Sequence, residues 1–240
     1  MPDFELHSEP LPETGQPVSF KVDMMPSPAP EPVTIKGRYG SIEKLEPRHT
    51  DDLWKVFEGY PEVWTYIGAD GPFSDKKAFA AQIEKRAAAT DPYAYAIIDA
   101  NGHAVGYFTL MSIVPAMRSI EVGHVLYSPA LMRTQLGTEA QYLLMRYAFE
   151  TLNSRRYEWK CNALNAPSRS AALRYGFTFE GILRQVLMAK GRNRDTAYYS
   201  IIDSEWPARK AVFERWLSPD NFGTDGKQKV SLRALNGTAE

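Results

Sequence analysis

One change of periodicity, between residues 119 and 148, constrains the fold more than any other feature of the chain. Residues 119–127 alternate in the manner of a strand, and the face predicted to turn inward carries Ile120, Val122, His124 and Leu126. Pro129 ends this strand. From Leu136 the apolar residues follow a helical spacing instead, at positions 136, 140, 143, 144, 147 and 148. The sequence therefore predicts a strand, a short loop and a helix in succession.

The flanking segments extend this pattern into a mixed α/β (α+β) fold. Before the central strand we predict a strand or hairpin over 33–45, short helices over 49–57 and 61–67, a helix from its N-cap Ser74 to about residue 89, and strands over 93–99 and 104–111. After the central helix we predict a strand over 156–161, a helix over 165–175, closing strands over 179–187 and 194–202, and a helix over 206–217. This order is typical of a largely antiparallel sheet with helices packed on it.

Both ends of the chain lack this periodicity. Proline recurs through residues 1–32, which removes backbone donors and disfavours both helix and strand, so we predict a flexible tail there. Residues 218–240 are polar and aperiodic, and we predict a second flexible tail. The folded domain is expected to span residues 33–217.

Composition excludes several classes of function. The formal net charge of -1 gives no general attraction to nucleic acid or to an anionic membrane, so neither is expected as a partner. The single cysteine, Cys161, excludes a disulfide framework. No apolar run is long enough to span a bilayer and the acidic start does not fit a secretory signal, so we expect a cytoplasmic protein. The four histidines lack metal-ligand spacing, and no metal is expected.

Five short motifs, taken in order, resemble the GNAT superfamily, and within it the RimJ/RimL-type branch. They are residues 120–129 (IEVGHVLYSP), 137–140 (GTEA), 165–168 (NAPS), 174–177 (RYGF) and 194–200 (RDTAYYS). The resemblance covers residues 33–217 and implies a GNAT-like fold, in which helices lie on both faces of the sheet. It also implies acetyl-CoA as co-substrate and an amine as acceptor.

The resemblance implies where acetyl-CoA would bind. Its pantetheine arm would pair with the backbone of the strand that holds Val125 and Tyr127, in the manner of an added strand. Its pyrophosphate would lie at the N-terminus of the next helix, where free N–H groups favour an anion. Here the loop reads MRTQLG, so that Met132 and Gln135 depart from the family pattern while Gly137 keeps it. The implied cofactor-binding residues are Val125, Tyr127, Arg133, Thr134, Gln135, Gly137, Thr138 and Asn165, with Arg133 and Thr134 expected to compensate for the departures.

Three residues are candidates for proton transfer. A lysine amine is almost fully protonated at pH 7, so a carboxylate acting as general base, directly or through water, would help, and Glu121 is the candidate. The alternative interpretation is that Glu121 pairs with an arginine or caps a backbone group. Ser168 is implied to lie near the thioester sulfur and to protonate the leaving thiolate, while Asn165 either contacts the cofactor or caps its helix. Tyr175 is an alternative acid or a packing residue.

Other chemistry-bearing residues fit ordinary structural roles. Cys161 is expected in the core, and His124 in the core or a cleft, with a second base role as the alternative. The basic turn around Lys190 and Arg192 is expected to be a solvated hairpin. The aromatic residues near the first helices either pack in the core or line the acceptor pocket, and they are Trp54, Tyr60, Trp64 and Tyr66.

The resemblance therefore predicts an acetyl-CoA-dependent N-acetyltransferase in which the amine attacks directly in a ternary complex. The acceptor is either a protein N-terminus or a small amine. The alternative is a non-catalytic relative that binds acyl-CoA as a sensor or partner protein. Oligomeric state is not predicted from these motifs.

Overall fold

The computed structural model describes residues 7–68 and 70–237. Its strands are β1 (Glu9–Pro10), β2 (Pro17–Val18), β3 (Thr34–Lys36), β4 (Ser41–Lys44), β5 (Tyr93–Ile98), β6 (Ala104–Val114), β7 (Ser119–Tyr127), β8 (Arg156–Asn162), β9 (Thr178–Ala189) and β10 (Arg192–Ile202). Its α-helices are α1 (Thr50–Phe57), α2 (Lys76–Ala88), α3 (Gln135–Arg146), α4 (Ala166–Arg174), α5 (Trp206–Leu217) and α6 (Leu232–Leu235). A π-helical turn, Tyr147–Thr151, continues α3, and Pro61–Trp64 forms a 3₁₀ turn between α1 and α2.

Eight strands form one twisted sheet in the order β3-β4-β5-β6-β7-β8-β10-β9. Every neighbouring pair is antiparallel except β7 and β8, which run parallel because α3 crosses between them. The predicted fold class is therefore confirmed. The boundaries of β7 and α5 are those expected from the sequence, whereas β9 and β10 extend further toward their turn.

The sheet buries apolar side chains on both faces. One face packs against α3, α4, α5 and α6 and holds the larger cluster, which includes Ile120, Val122 and Tyr157. The other face packs against α1 and α2 around Leu53, Phe79 and Tyr107. These two helices cover only the β4–β6 half of the sheet, so polar side chains of β8, β9 and β10 occupy the remainder of that face.

A bulge in β7 overturns the predicted alternation of that strand. His124 adopts φ 44°, and the register against β6 shifts between the Tyr107 and Thr109 pairs. Ile120 and Val122 belong to the larger core cluster, but Leu126 lies in the cluster on the opposite face. The prediction that all four alternating residues share one face is wrong beyond Val122, because a bulge inserts one residue and reverses the faces that follow.

The segments outside the predicted domain make specific contacts with it. Near the N-terminal end, Glu31 N–H donates to Tyr147 Oη over 2.9 Å and its carbonyl accepts from Tyr95 Oη over 3.0 Å. Near the C-terminal end, Leu232 is fully buried and Asn236 Nδ2 donates to the Arg174 carbonyl over 3.0 Å. Helix α6 is therefore packed on α4 and α5, and the flexibility of residues 218–240 stays a prediction.

One predicted cap is also corrected. Asp75, and not Ser74, is the N-cap of α2, because Asp75 Oδ1 accepts from Ala78 N–H over 2.9 Å. Both residue types can cap a helix, and the sequence alone does not distinguish neighbours.

Candidate active site

The parallel strands β7 and β8 separate halfway along their length. They pair only where Ser119–Val122 faces residues 156–159, although β7 continues to Tyr127 and β8 to Asn162. The bulge at His124 marks the point of separation. Along the part of β7 that follows, the edge facing β8 has no strand partner in the described chain. We call this opening the cleft, and Val125 and Tyr127 both lie on its β7 side. Unpaired backbone groups along such an edge can bind an extended ligand as an added strand.

The loop at the end of the cleft is shaped by Thr134, the N-cap of α3. Its hydroxyl accepts from Gly137 N–H over 3.0 Å and donates to the Leu131 carbonyl over 2.7 Å. The hydroxyl predicted to bind phosphate thus already holds the helix start together. Direct phosphate binding by Thr134 stays a prediction, and the arrangement favours a positioning role instead.

Three backbone donors remain free at this helix start. The N–H groups of Arg133, Gln135 and Leu136 have no hydrogen-bond partner among residues 7–68 and 70–237. Arg133 is exposed and holds φ 64°, a left-handed conformation uncommon outside glycine. Free N–H groups and the positive end of the helix dipole favour an anion at this position.

Gly137 allows the helix to begin against both the loop and β7. A Cβ atom there would lie 2.8 Å from the Leu131 carbonyl oxygen and 3.2 Å from Tyr127 Cε2. Tyr127 Oη in turn donates to the Gly137 carbonyl over 2.7 Å. Burial raises the pKa of Tyr127 well above its ordinary value, so this hydroxyl keeps its proton. Gly137 and Tyr127 thus fix the helix start beside the cleft.

The next two residues of α3 point inward. Thr138 is 2% exposed, and its hydroxyl accepts from Arg174 Nη1 over 3.1 Å. A phosphate outside the helix would reach that hydroxyl only if this contact changed, so direct binding by Thr138 stays a prediction that the geometry does not favour. The buried carboxylate of Glu139 accepts from the N–H groups of Arg38 and Tyr39, both over 2.7 Å. Glu139 thus ties the turn between β3 and β4 to α3.

The start of α4 lies on the β8 side of the cleft. Asn165 caps this helix, since its Oδ1 accepts from Ser168 N–H over 3.1 Å. Ser168 Oγ accepts from Trp159 Nε1 over 3.0 Å, and its hydroxyl also interacts with the Cys161 thiol. Burial raises the pKa of the Cys161 thiol against the opposing effect of Ser168. A thiol with a raised pKa is a poor nucleophile, in agreement with a core role for Cys161.

Tyr175 lies in the core at the end of α4. It is 6% exposed and its ring packs against Trp159 and Phe213, with centroids 6.1 and 6.2 Å away. Burial raises its pKa. These contacts match the packing interpretation, and an acid role for Tyr175 stays a prediction.

Glu121 lies in the paired half of β7, on the face opposite α3. Its Oε2 accepts from Ser112 Oγ and from Lys160 Nζ, both over 2.9 Å. Lys160 also pairs with Glu158 over 2.7 Å, and although burial opposes its charge, these two carboxylates raise its pKa. Glu121 Oε1 has no partner in the described part of the chain and retains capacity to accept a proton. The expected pairing with arginine is thus a pairing with lysine.

His124 stands at the mouth of the cleft, on the bulge. Its Nδ1 lies 3.1 Å from Thr109 Oγ1, while Nε2 has no partner among the described residues. Burial, with the nearby guanidinium groups of Arg86 and Arg194, lowers the pKa of His124 to about 4. The imidazole is therefore neutral at pH 7, and one ring nitrogen can accept a proton.

The aromatic cluster near α1 is mainly core. Trp64 is 3% exposed and packs edge-on against Phe57, Phe73 and Phe79. Tyr60 and Tyr66 are exposed. Sequence analysis missed one contact here: Lys190 Nζ, at the tip of the β9–β10 hairpin, donates to the carbonyls of Trp64 and Gly71 over 2.6 and 3.0 Å. The basic hairpin is thus attached to the α1–α2 loop, and Arg192 at its tip is exposed.

The described residues hold neither a cluster of metal-binding side chains nor a membrane-spanning helix. Across residues 7–68 and 70–237, no group of three or more His, Cys, Asp or Glu side chains is arranged to hold a metal ion. In the same part of the chain, no helix is both long enough and apolar enough to cross a bilayer.

Comparison with known proteins gives a consistent match. Residues 41–178 match the family model described as "Acetyltransferase (GNAT) domain". A curated relative, "Putative ribosomal N-acetyltransferase YdaF" of Bacillus subtilis, is 30% identical over 110 residues, which are 46% of this chain. The match spans about 60% of that relative's length.

Two solved structures cover more of the chain. A GCN5-related N-acetyltransferase from Brucella melitensis is 41% identical with a TM-score of 0.86, over 89% of this chain and 98% of that one. A probable acetyltransferase of the GNAT family from Chromobacterium violaceum is 38% identical with a TM-score of 0.73, over 80% and 99%.

Proposed function

The chain belongs to the GNAT acetyltransferase family, and on that premise we propose that it transfers an acetyl group from acetyl-CoA to a primary amine. The observation that carries this proposal is the cleft between β7 and β8, which ends at the free N–H groups of α3. An extended chain ending in an anionic diphosphate matches both parts, because the strand edge offers backbone pairing and the helix start favours negative charge. Acetyl-CoA has that shape, and it would supply a thioester as the acyl donor.

The residues lining the cleft fit this co-substrate. Val125 and Tyr127 lie along the unpaired edge, where backbone N–H and C=O groups would hold the pantetheine arm. Arg133, Gln135 and Gly137 surround the helix start, and the exposed guanidinium of Arg133 adds a second source of positive charge. Gly137 contributes by close approach, since a side chain there would push the helix start away from the loop.

For the chemical step we propose direct attack of the neutral amine in a ternary complex. A backbone N–H at about Val125, on the unpaired edge, would stabilise the developing oxyanion. Glu121 Oε1 would take the proton from the amine through water, with Lys160 and Ser112 holding the carboxylate in place. Ser168 would pass a proton from solvent to the departing thiolate, giving one proton and taking one up, while Trp159 Nε1 holds its oxygen in place.

Family membership supports the chemical class of the acceptor, an amine, and does not identify the molecule. The Bacillus subtilis relative is described as a putative ribosomal N-acetyltransferase, so an amine of a ribosomal protein, such as its N-terminus, is one acceptor to test. A small amine is the other. We propose that residues 33–217, together with the segment packed on α4 and α5, form the catalytic domain.

The proposal is tested by release of free CoA thiol from acetyl-CoA across a panel of N-terminal peptides and small amines. Turnover that depends on an amine supports the enzyme. Calorimetry with acetyl-CoA supplies the second arm: tight binding with no release above hydrolysis would favour the non-catalytic sensor instead.

A further inference from the structure

A group of charged and polar side chains surrounds His124 on the face of the sheet that α2 covers. Tyr107 and Thr109 come from β6, Arg86 from α2, Asp70 from the α1–α2 loop and Arg194 from β10. We call this group, with His124, the cationic pocket. It lies beside the mouth of the cleft, because His124 is on the bulge where β7 separates from β8.

Several polar atoms of the cationic pocket are buried without a partner. Arg86 is 8% exposed and Tyr107 is fully buried, yet Arg86 Nε and Tyr107 Oη form no hydrogen bond among the described residues. The same holds for Arg194 Nε. Buried polar groups are nearly always hydrogen-bonded, so three unpaired atoms around one histidine indicate a missing acceptor.

The charge balance of the pocket favours an anion. Arg86 pairs with Asp70, but Arg194 forms no ion pair in the part of the chain that the structure describes. The charged groups that act on His124 are therefore two guanidinium groups and one carboxylate, a balance of one positive charge. A half-buried arginine without a counter-ion is unfavourable, and a bound carboxylate would relieve that cost.

The β9–β10 hairpin also contacts the loop that contributes to the pocket. The bonds from Lys190 to the carbonyls of Trp64 and Gly71 hold the hairpin tip against the loop that carries Asp70. An acceptor that places a carboxylate near Arg194 would therefore extend from the pocket past His124 into the cleft.

Resting on the proposed function, we propose that the cationic pocket binds a carboxylate of the acceptor, close to the amine that is acetylated. Arg194 supplies the positive charge and Tyr107 a hydroxyl donor. The shared chemistry is a carboxylate near an amine, which occurs both in a free α-amino acid and in a peptide with an acidic residue after its N-terminus.

The test measures binding of matched probes to the full chain by calorimetry, with CoA present so that no transfer occurs. One pair is Ser-Asp-Ala-Ala amide against Ser-Asn-Ala-Ala amide, and the other is alanine against alaninamide. At least one carboxylate probe should bind about tenfold or more tightly than its amide, the effect of a charge-assisted hydrogen bond. A difference within the peptide pair assigns the carboxylate to an acidic residue after the N-terminus. A difference within the alanine pair assigns it to a free α-amino acid.

Variants then assign the effect to Arg194. Arg194→Gln should bring the ratio of the two dissociation constants to about one, while Arg194→Lys should keep part of the preference. Arg192→Gln is the matched control, because Arg192 is exposed on the same strand, and it should leave the ratio unchanged. Equal binding within both wild-type pairs, or no binding by either carboxylate probe, would overturn the proposal even if Arg194→Gln does not fold.

Loss of affinity for acid and amide alike in Arg194→Gln would also overturn it, since that outcome assigns Arg194 to the cleft. CoA release is measured separately. A carboxylate preference without CoA release would refute the proposed transfer while leaving the pocket intact.

Discussion

Glu121 and Lys160 form an ion pair across the parallel strands β7 and β8, with 2.9 Å between Oε2 and Nζ. Glu121 lies in the paired part of β7, whereas Lys160 lies one residue beyond the paired part of β8, so the ion pair spans the point where the two strands separate. It holds the carboxylate in one orientation and leaves Oε1 without a partner among the described residues. The candidate base is thus fixed at the edge of the cleft by its neighbouring strand.

Glu121→Gln should lower kcat by about 10²-fold or more if Glu121 is the general base. The loss should shrink as pH rises, because an amine that is already deprotonated needs no base. The measurement is a pH–rate profile of wild type and variant with one amine.

Lys160→Gln is the matched control, since it breaks the same ion pair but keeps the carboxylate. It should retain more activity than Glu121→Gln. Parallel pH–rate profiles for Glu121→Gln and wild type would count against the base role.

His124 gives a prediction about stability. Its folded pKa of about 4 lies below the ordinary value of 6.5, so the unfolded chain binds more protons between these values. Stability should therefore rise with pH across this window and fall as the solution is acidified from pH 6.5 to pH 4. A shift of this size corresponds to at most about 3 kcal/mol.

The comparison that isolates this effect uses His124→Gln, which cannot titrate. Urea unfolding at a series of pH values should show that acidification from pH 6.5 to pH 4 lowers the free energy of unfolding less in the variant than in wild type. The difference should be at most about 3 kcal/mol. Identical pH dependence in the two proteins would show that His124 keeps an ordinary pKa. The same low pKa predicts that pH–rate profiles carry no titration of His124 near pH 6.5.

The sequence predicted the elements well where periodicity and local signals agree. Alternation and Pro129 place β7, and a helical stripe places α3, because these signals depend only on neighbouring residues. The bulge at His124 could not be predicted, since a backbone reversal leaves no mark in an alternating run. That bulge nevertheless decides which face each later residue of β7 occupies and where the cleft begins.

In the candidate site, too, local sequence signals predict some features, whereas contacts between distant residues could not be predicted. Motif resemblance predicts a site along β7 and at the start of α3, but it carries no information on the long-range contacts that decide which side chains are free. Glu139 is bonded to a turn 100 residues earlier, and Lys190 to carbonyls more than 110 residues earlier. Phosphate binding by Thr138 stays a prediction, and sequence spacing could not show that Arg174 donates to its hydroxyl.

Gly137→Ala should weaken both the fold and CoA binding. The added methyl group would lie 2.8 Å from the Leu131 carbonyl oxygen, which has to shift, and such overpacking costs about 1–3 kcal/mol. Displacement of the loop would also move the free N–H groups of α3. Urea unfolding and calorimetry with CoA measure the two effects.

Gly68→Ala is the matched control, because a Cβ at Gly68 meets no atom within 4 Å and the residue has no positive φ. It should change neither quantity appreciably. If Gly137→Ala bound CoA as tightly as wild type, the close packing of Gly137 against the loop would not be needed for phosphate binding.

Arg133→Ala should reduce CoA affinity by about three- to tenfold, in the range of one solvent-exposed, charge-assisted contact to phosphate. Arg133 is exposed and forms no ion pair in the described chain, so its removal should leave the unfolding free energy nearly unchanged. Calorimetry with CoA at two salt concentrations should show a weaker salt dependence in the variant, because one positive charge no longer contributes.

Pantetheine lacks the pyrophosphate and supplies the ligand control: its affinity should be equal for the two proteins. An equal loss for pantetheine and CoA would instead indicate that Arg133 acts by shaping the loop, and the free N–H groups of Gln135 and Leu136 would then carry the phosphate site.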